Sequence, residues 1–356
     1  MARKQPVVRA IDVGYGHVKF TDGFDEDGEL KAESFPSQSA IVQGTDLKSE
    51  ILQARDTFLI PINGRNFEVG RAVRNAINGR EETEVLDKRF SLSEEYQARL
   101  FGAINYMMPS LPDRTIDLLV LGLPLTTFST FGPELSQRFL GKHVINSRGD
   151  EVTIERCNVL PQPLGSYAAY LHDPLPHHTS APTALVVDPG YNTVDWFVCE
   201  GMVPNKEQSG AVERGMSAVL RAIAKSVIES TGQSANESAV VRLVDKGMLE
   251  GSEIRLKGKS IDLQPHLRAG QAVIQQAMHA MYKSVGEGDT IDIILVTGGG
   301  GSLYEPFIRQ AYPHHEVLVL KESALANVRG FHYIGEQLSA SAHRSLQKQE
   351  REVASV

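Results

Sequence analysis

The chain has 356 residues, 41% of them hydrophobic and 22% charged, and carries a net charge of −8. At about 150 residues per domain this length predicts two compact units, and the balance of apolar and charged residues excludes a largely disordered or collagen-like chain. The acidic surplus supplies no overall cationic field for wrapping nucleic acid or lying on an anionic membrane.

Apolar runs such as Leu118-Leu119-Val120-Leu121 and Ile293-Ile294-Leu295-Val296 fall far short of the roughly 20 residues that span a bilayer. The opening Met1-Ala2-Arg3-Lys4 gives way to Asp12 and Gly14 before a signal-peptide apolar region develops, so export by that route is not expected. Cys157 and Cys199 are too few and too isolated for a disulfide framework or a thiolate zinc site, which fits a reducing cytoplasm.

In chain order, a run from Val7 to Val13 stops at Gly14 and resumes at His17-Val18-Lys19-Phe20, a strand, turn and strand. Asp25, Glu26, Asp27 and Gly28 read as an acidic turn without calcium-loop spacing. Ser91 with Glu94 has capping-box spacing ahead of a helix carrying Tyr96, Leu100, Phe101 and Ile104 on one face. Ile116 to Leu121 reads as a buried strand closed by Gly122 and Pro124.

The first pattern returns when Thr183 to Asp188 stops at Gly190 and resumes at Val194 to Cys199, again with Asp two places before Gly. Two such hairpins suggest two related halves. Met216, Val219, Leu220, Ile223 and Val227 keep helical spacing, as do Ile274, Ala277, Met278 and Met281. Ile291 to Val296 is a buried strand running into Thr297-Gly298-Gly299-Gly300-Gly301-Ser302, followed by a helix with Pro306 in its first turn. Strands alternating with helices indicate an α/β architecture. Residues 22–90 and 230–270 are less regular and read as insertions. The stretch 171–182, with Pro174, Pro176 and Pro182, reads as the linker, and the charged tail after about Ser339 as prone to fraying.

Three segments carry candidate chemistry. Asp12-Val13-Gly14-Tyr15-Gly16-His17-Val18-Lys19 sets a carboxylate at a strand end, glycines in the turn and a cation on the next strand. Backbone N–H groups at such glycines approach phosphate oxygens, Lys19 offsets their charge, and Asp12 holds waters of a Mg²⁺ ion; an ordinary glycine turn with a surface lysine accounts for the same residues. A dinucleotide fingerprint fits less well, because the third glycine is missing and the turn leads into a strand. Asp188-Pro189-Gly190-Tyr191-Asn192-Thr193-Val194-Asp195 supplies a second carboxylate and glycine turn with a hydroxyl; alone it fits a structural Asp-Gly corner as well as a site. The glycine run 297–302 lets backbone lie against a base or ribose, or is a tight turn, and it lacks the Gly-Lys-Ser/Thr of a Walker loop. His177-His178 and His314-His315 read as solvated loop residues, and Trp196, Phe197, Met278 and Met281 as core.

In this order, each after an apolar strand, the three segments resemble the phosphate-1, phosphate-2 and adenosine motifs of the actin, Hsp70 and sugar-kinase superfamily. Asp12, Gly14 and Lys19 match the first pattern; Asp188, Gly190, Thr193 and Asp195 match the second. Together with Val159-Leu160-Pro161-Gln162-Pro163 and Ala326-Asn327-Val328-Arg329-Gly330-Phe331, the chain is most similar to bacterial actin-like ATPases of the ParM/StbA plasmid-segregation type.

The resemblance implies an actin-like fold, two related α/β domains of ribonuclease H type around a nucleotide cleft. Domain I would comprise residues 1–175, with an insertion at about 35–90 and completion by about 322–345; domain II would comprise 176–321, with a polar insertion at about 230–270. It implies ATP, or GTP, with Mg²⁺ held through water by Asp12 and Asp188. Gly14, Tyr15, Gly16, Lys19, Gly190, Tyr191, Asn192, Thr193, Gly215, Gly298, Gly299, Gly300 and Ser302 would contact the nucleotide, with Ser217 near the ribose. The residue that positions attacking water falls at Gln162, where many ParM-type relatives carry Glu; Gln orients water but is no strong base, which allows slow hydrolysis. Also implied are cytoplasmic filaments formed by self-association and a separate DNA-binding adaptor at a plasmid site, with no direct nucleic-acid or membrane binding. The alternatives within the superfamily are a small-molecule kinase using Asp195 or another carboxylate as base, and a non-filamentous nucleotide-switched binding protein.

Overall fold

The computed structural model describes residues 5–42, 55–75, 77, 89–172, 181–232 and 234–354, with side-chain surroundings as far as 342. The chain divides into two compact units, Met1–Thr179 with Leu320–Val356, and Ser180–Val319. The expected linker at 171–182 falls mostly at 173–180, outside the described residues, as do His177 and His178.

In the first unit five strands form one sheet: β1 Val8–Val13, β2 His17–Phe24, β3 Leu30–Pro36, β4 Leu118–Leu123 and β5 Cys157–Pro161. Their spatial order is β5-β4-β1-β2-β3. β2 runs antiparallel to both β1 and β3, while β4 lies parallel to β1 and β5 parallel to β4. Every residue of β1 and β4 is buried, which is why β4 reads as a continuous apolar run rather than an alternating one, while β1 also buries Arg9 and Asp12. One face packs on helix α1, Glu94–Met107, whose Leu100, Phe101 and Ile104 join Ile11, Val18 and Phe20 in one core. On the other face Val8, Ala10, Leu118 and Val120 meet Val328 and Phe331 of the C-terminal helix Ala326–Ala354. Helix α2, Leu125–Arg138, follows β4, and α3, Gln162–His172, follows β5 directly.

The second unit repeats that plan. Its strands are β6 Thr183–Pro189, β7 Val194–Glu200, β8 Val203–Val212, β9 Ile293–Val296 and β10 Val317–Val319. They lie in the order β8-β7-β6-β9-β10, with antiparallel pairing from β6 to β8 and parallel pairing of β6 with β9 and β9 with β10. Helices α4 Met216–Thr231, α5 Glu237–Glu250, α6 Leu267–Val285 and α7 Gly301–Ala311 supply its layers. Trp196, Met278 and Met281 are core residues of this unit, and Phe197 is buried. The chain has the two α/β units expected of it, each built on the same mixed five-stranded sheet.

Several local expectations need correction. The α1 N-cap is Ser93, whose Oγ accepts from the Tyr96 N–H at 3.1 Å, while Ser91 is buried in a short 3-10 turn. Glu94 and Glu95 then sit in the first turn, where the helix dipole favours negative charge. Ile116 to Leu121 is two strands: Thr115–Ile116 pairs in a separate small sheet and β4 begins after Asp117, whose carboxylate accepts from the Val7 N–H. Residues 22–90 are more regular than their composition suggests, holding β3 and a three-stranded sheet of Ala40–Val42, Phe58–Ile62 and Arg65–Val69. Residues 230–270 hold α5 and a hairpin of Glu253–Leu256 with Lys259–Asp262. Pro306 is in the second turn of α7, because the helix already starts in the glycine run, with Leu303 and Tyr304 N–H groups on the Gly300 carbonyl. The tail past Ser339 continues the C-terminal helix to Ala354.

Both cysteines are buried and neither is in a disulfide; burial pushes each thiol up to about 12, so they stay protonated. Helix α3 and the C-terminal helix cross in near backbone contact: a Cβ on Gly330 would lie 1.7 Å from the Gly165 carbonyl oxygen, and one on Gly165 would lie 2.3 Å from that of Asn327. Gly330→Ala must push the helices apart, and a loss of about 1–3 kcal/mol or more is expected in urea denaturation.

His332, on the same helix, is buried with Nδ1 2.9 Å from Thr21 Oγ1, and burial, with the Arg9 cation as a lesser cause, pushes its pKa down to about 3 from 6.5. The native state therefore binds fewer protons than the unfolded chain between these values, so this contribution is complete above about pH 6.5 and is lost as the pH falls toward 3. Urea midpoints measured from pH 7 to 4 should fall less steeply in His332→Gln than in the unaltered protein.

Candidate functional site

The carboxylate of Asp12 is fully buried at the end of β1. The β1–β2 register sets Lys19 directly opposite it, with Nζ 3.3 Å from Oδ2. Gln162, the first residue of α3, donates from Nε2 to Oδ1 at 2.6 Å. A buried carboxylate is costly unless charged or polar groups compensate it, and here each oxygen has a partner. Gly122, at the end of β4, lies alongside: a Cβ there would stand 3.2 Å from Asp12 Oδ1 and 2.4 Å from the Phe331 ring. The turn closes with the Gly14 N–H on the His17 carbonyl at 3.1 Å. Tyr15 at its tip stacks on Phe90, 5.0 Å between ring centroids.

The second unit builds the corresponding corner. Asp188 is buried at the end of β6, and the Gly190 N–H bonds the Thr193 carbonyl at 2.8 Å, the same closure as Gly14 with His17. The seven-residue spacing also returns, since Asp188 lies opposite Asp195 as Asp12 lies opposite Lys19. Asp195 is buried and accepts from Thr193 Oγ1 at 2.6 Å.

Around this corner the chain draws in segments far apart in sequence. The N–H groups of Gly215, Met216 and Ser217 bond the carbonyls of Asn192, Gly190 and Tyr191 at 3.0, 3.0 and 2.7 Å, seating the start of α4 on the hairpin tip. The Gly300 N–H bonds the Pro189 carbonyl at 2.9 Å. Gly298 has φ +73°, and a Cβ there would lie 2.2 Å from Asp188 Oδ1.

The structure thus brings Asp12, Lys19 and Gln162 together in one unit, and Asp188, Gly190 to Thr193, Gly215, Ser217, Gly298 and Gly300 in the other. Ser302, in the first turn of α7, and Gly299 are exposed. His315 is half-buried rather than fully solvated, with Nε2 3.0 Å from the Gly288 carbonyl. Among the described residues no group of three or more His, Cys, Asp or Glu is placed to hold a metal ion, and no helix is long and apolar enough to cross a membrane.

Sequence reasoning missed the support behind Gln162. Asn327 Oδ1 accepts from both the N–H and Oγ of Ser166, at 3.2 and 2.6 Å, pinning α3 one turn beyond Gln162. The available signal was a glycine inside each helical pattern, Gly165 and Gly330, which marks a close backbone approach.

Residues 10–165 match the family model for the N-terminal domain of actin-like proteins, and residues 186–310 match that for the C-terminal region of archaeal MreB-like actin homologues. The chain belongs to the actin-like proteins. Among solved structures it is similar to a non-polymerisable quadruple mutant of the pCBH ParM, at 21% identity and a TM-score of 0.72, covering 94% of this chain and 100% of that one. An archaeal actin homologue in complex with ADP matches at 19% identity and a TM-score of 0.70, over 93% and 99% of the two chains. A 15-stranded ParM filament from Clostridium botulinum matches at 19% identity and a TM-score of 0.70, over 94% and 100%. No curated protein matches the chain by sequence.

The glycine run of this actin-like protein separates two roles that its sequence does not distinguish. Gly298→Ala places a Cβ against the Asp188 carboxylate at a positive φ, whereas Gly299 has nothing within 4 Å of a built Cβ. Gly298→Ala should cost about 1–3 kcal/mol and Gly299→Ala should stay within about 0.5 kcal/mol of the unaltered protein, both measured by chemical denaturation.

Proposed function

We propose that the protein is an ATPase that polymerises under nucleotide control and segregates plasmid DNA in the cytoplasm. The two units would be its domains I and II, divided near 175. The observation that carries this reading is the repeated corner: a buried aspartate at a strand end, a glycine-closed turn that sets facing residues seven positions apart, and a glycine on or just after the parallel neighbour against the carboxylate.

The donor set fits a hydrated divalent cation carrying a polyphosphate. Asp12 and Asp188 are hard oxygen donors, and a side chain at Gly298 would collide with Asp188 Oδ1. These two would hold Mg²⁺ through its waters, and the bound ion would neutralise charge on the β- and γ-phosphates. Lys19 would add a second positive charge. Gln162 would accept from the attacking water at Oε1 and orient it for in-line displacement, without the basicity of a carboxylate. The hairpin tip at Gly190 to Asn192, held by the start of α4, would meet phosphates, with Gly215 and Ser217 toward the ribose and Gly298 to Gly300 toward the base. GTP fits the same backbone donors.

Self-association is supported by the ParM filament among the structural relatives. With a net charge of −8 the chain would reach plasmid DNA through a basic adaptor protein, not by its own surface.

Light scattering with ATP and Mg²⁺, followed by negative-stain microscopy, should show filaments that disappear when nucleotide is withheld; transfer of phosphate to a sugar or small acid instead would make the protein a kinase of this superfamily. Asp12→Ala and Asp188→Ala should each abolish Mg²⁺-dependent turnover, and normal turnover in both would place the site elsewhere. Gln162→Ala should slow hydrolysis on the order of 100-fold while nucleotide binding persists.

A further inference from the structure

Asp12 is the buried group on which nucleotide-bound metal must act if the proposed function holds, and the present inference rests on that reading. Its two oxygens are engaged by different partners, Oδ2 by Lys19 and Oδ1 by Gln162, at 3.3 and 2.6 Å. The carboxylate itself is fully buried, whereas Gln162 is partly exposed and Lys19 has a side-chain exposure of 18%. The two partners therefore lie between Asp12 and solvent. A metal-bound water that approaches Oδ1 from the side of Gln162 meets the Nε2 that now donates there.

Between these partners, Gln162 is the one that yields at lower cost. Moving Lys19 away would strip a buried carboxylate of its counter-charge, whereas exchanging an amide N–H for a water O–H leaves the charges as they are. The backbone of Gln162 has little freedom to follow, since Ser166 is bonded through N and Oγ to Asn327 and Gly165 is wedged against the Asn327 carbonyl. Release must come from rotation of the Gln162 side chain alone.

We propose that Gln162 is a latch on Asp12: it occupies the metal-water position of that carboxylate in the resting protein, and becomes available to orient the attacking water only when it is displaced. Water positioning is thereby made conditional on metal recruitment, so that a nucleotide arriving without its cation finds Gln162 turned away from the phosphate. The latch also sets metal affinity, because the Gln162 hydrogen bond has to be given up for the metal site to form.

The test is Mn²⁺ binding to the full chain with ADP, read by electron paramagnetic resonance, so that no turnover is involved. Gln162→Met keeps the length of the side chain and removes the donor; the latch predicts that it binds Mn²⁺·ADP more tightly, by about tenfold for one hydrogen bond to a charged group, with Gln162→Leu as a second variant should the first fold poorly. Unchanged or weaker Mn²⁺ affinity in both, with ADP binding intact, overturns the latch and leaves the proposed function standing. An unaltered protein that binds no ADP at all, with or without Mn²⁺, overturns both. In the unaltered protein the side-chain amide resonances of Gln162 should shift on adding Mg²⁺·ADP and not on adding ADP alone; a shift with ADP alone also overturns the latch.

Discussion

The interaction on which the first unit depends is the burial of one negative charge. Asp12 sits at the end of a strand buried at every residue, where a lone carboxylate would be strongly disfavoured. Lys19 answers the charge from the facing position of β2, and Gln162 answers the remaining oxygen from the first residue of α3. Both depend on register: a shift of one residue in the β1–β2 pairing would turn Lys19 to the opposite face and leave the charge without its partner.

The second corner keeps the geometry and changes the chemistry. The position facing Asp188 is Asp195 where the first unit has Lys19, so two buried carboxylates stand opposite each other across an antiparallel pair. Like charges in that relation are unfavourable. Part of the compensation is visible in Thr193, whose hydroxyl donates to Asp195 Oδ2. One backbone plan, used twice, thus yields a corner that carries its own cation and a corner that carries two acids. The two corners therefore differ in charge although they share a backbone plan, one pairing its acid with a lysine and the other with a second acid.

How far the sequence could be read followed from the range of the interactions involved. The hairpins at Asp12 and Asp188, and the strand leading to Gly298, were legible because strand periodicity and glycine turns are local signals. The N-cap was misplaced by two residues because Ser91 and Ser93 both precede an acidic first turn, and only the hydroxyl geometry at Ser93 decides between them. The sheet inside 22–90 was hidden because Ala40–Val42 is only three residues long and Pro61 interrupts the apolar run Phe58–Ile62, where proline argues against a strand. The lock of Asn327 on Ser166 joins residues 161 positions apart, and no periodicity in either helix announces it.

That same distance shapes how the site forms. The backbone on which Gln162 rests is fixed by Asn327 and Gly330, and Gly122 beside Asp12 is covered by Phe331, so the chain must travel through the whole of Ser180–Val319 before the surroundings of Asp12 are complete. Contacts of such separation close late, because the loop entropy is lost before the contact repays it. The second unit has no such debt: Asp188, the start of α4 and the glycine run all belong to one continuous stretch of chain. The acidic corner at Asp188 is therefore able to assemble within its own stretch of chain, while the corner bearing Lys19 and Gln162 is completed only by the C-terminal helix.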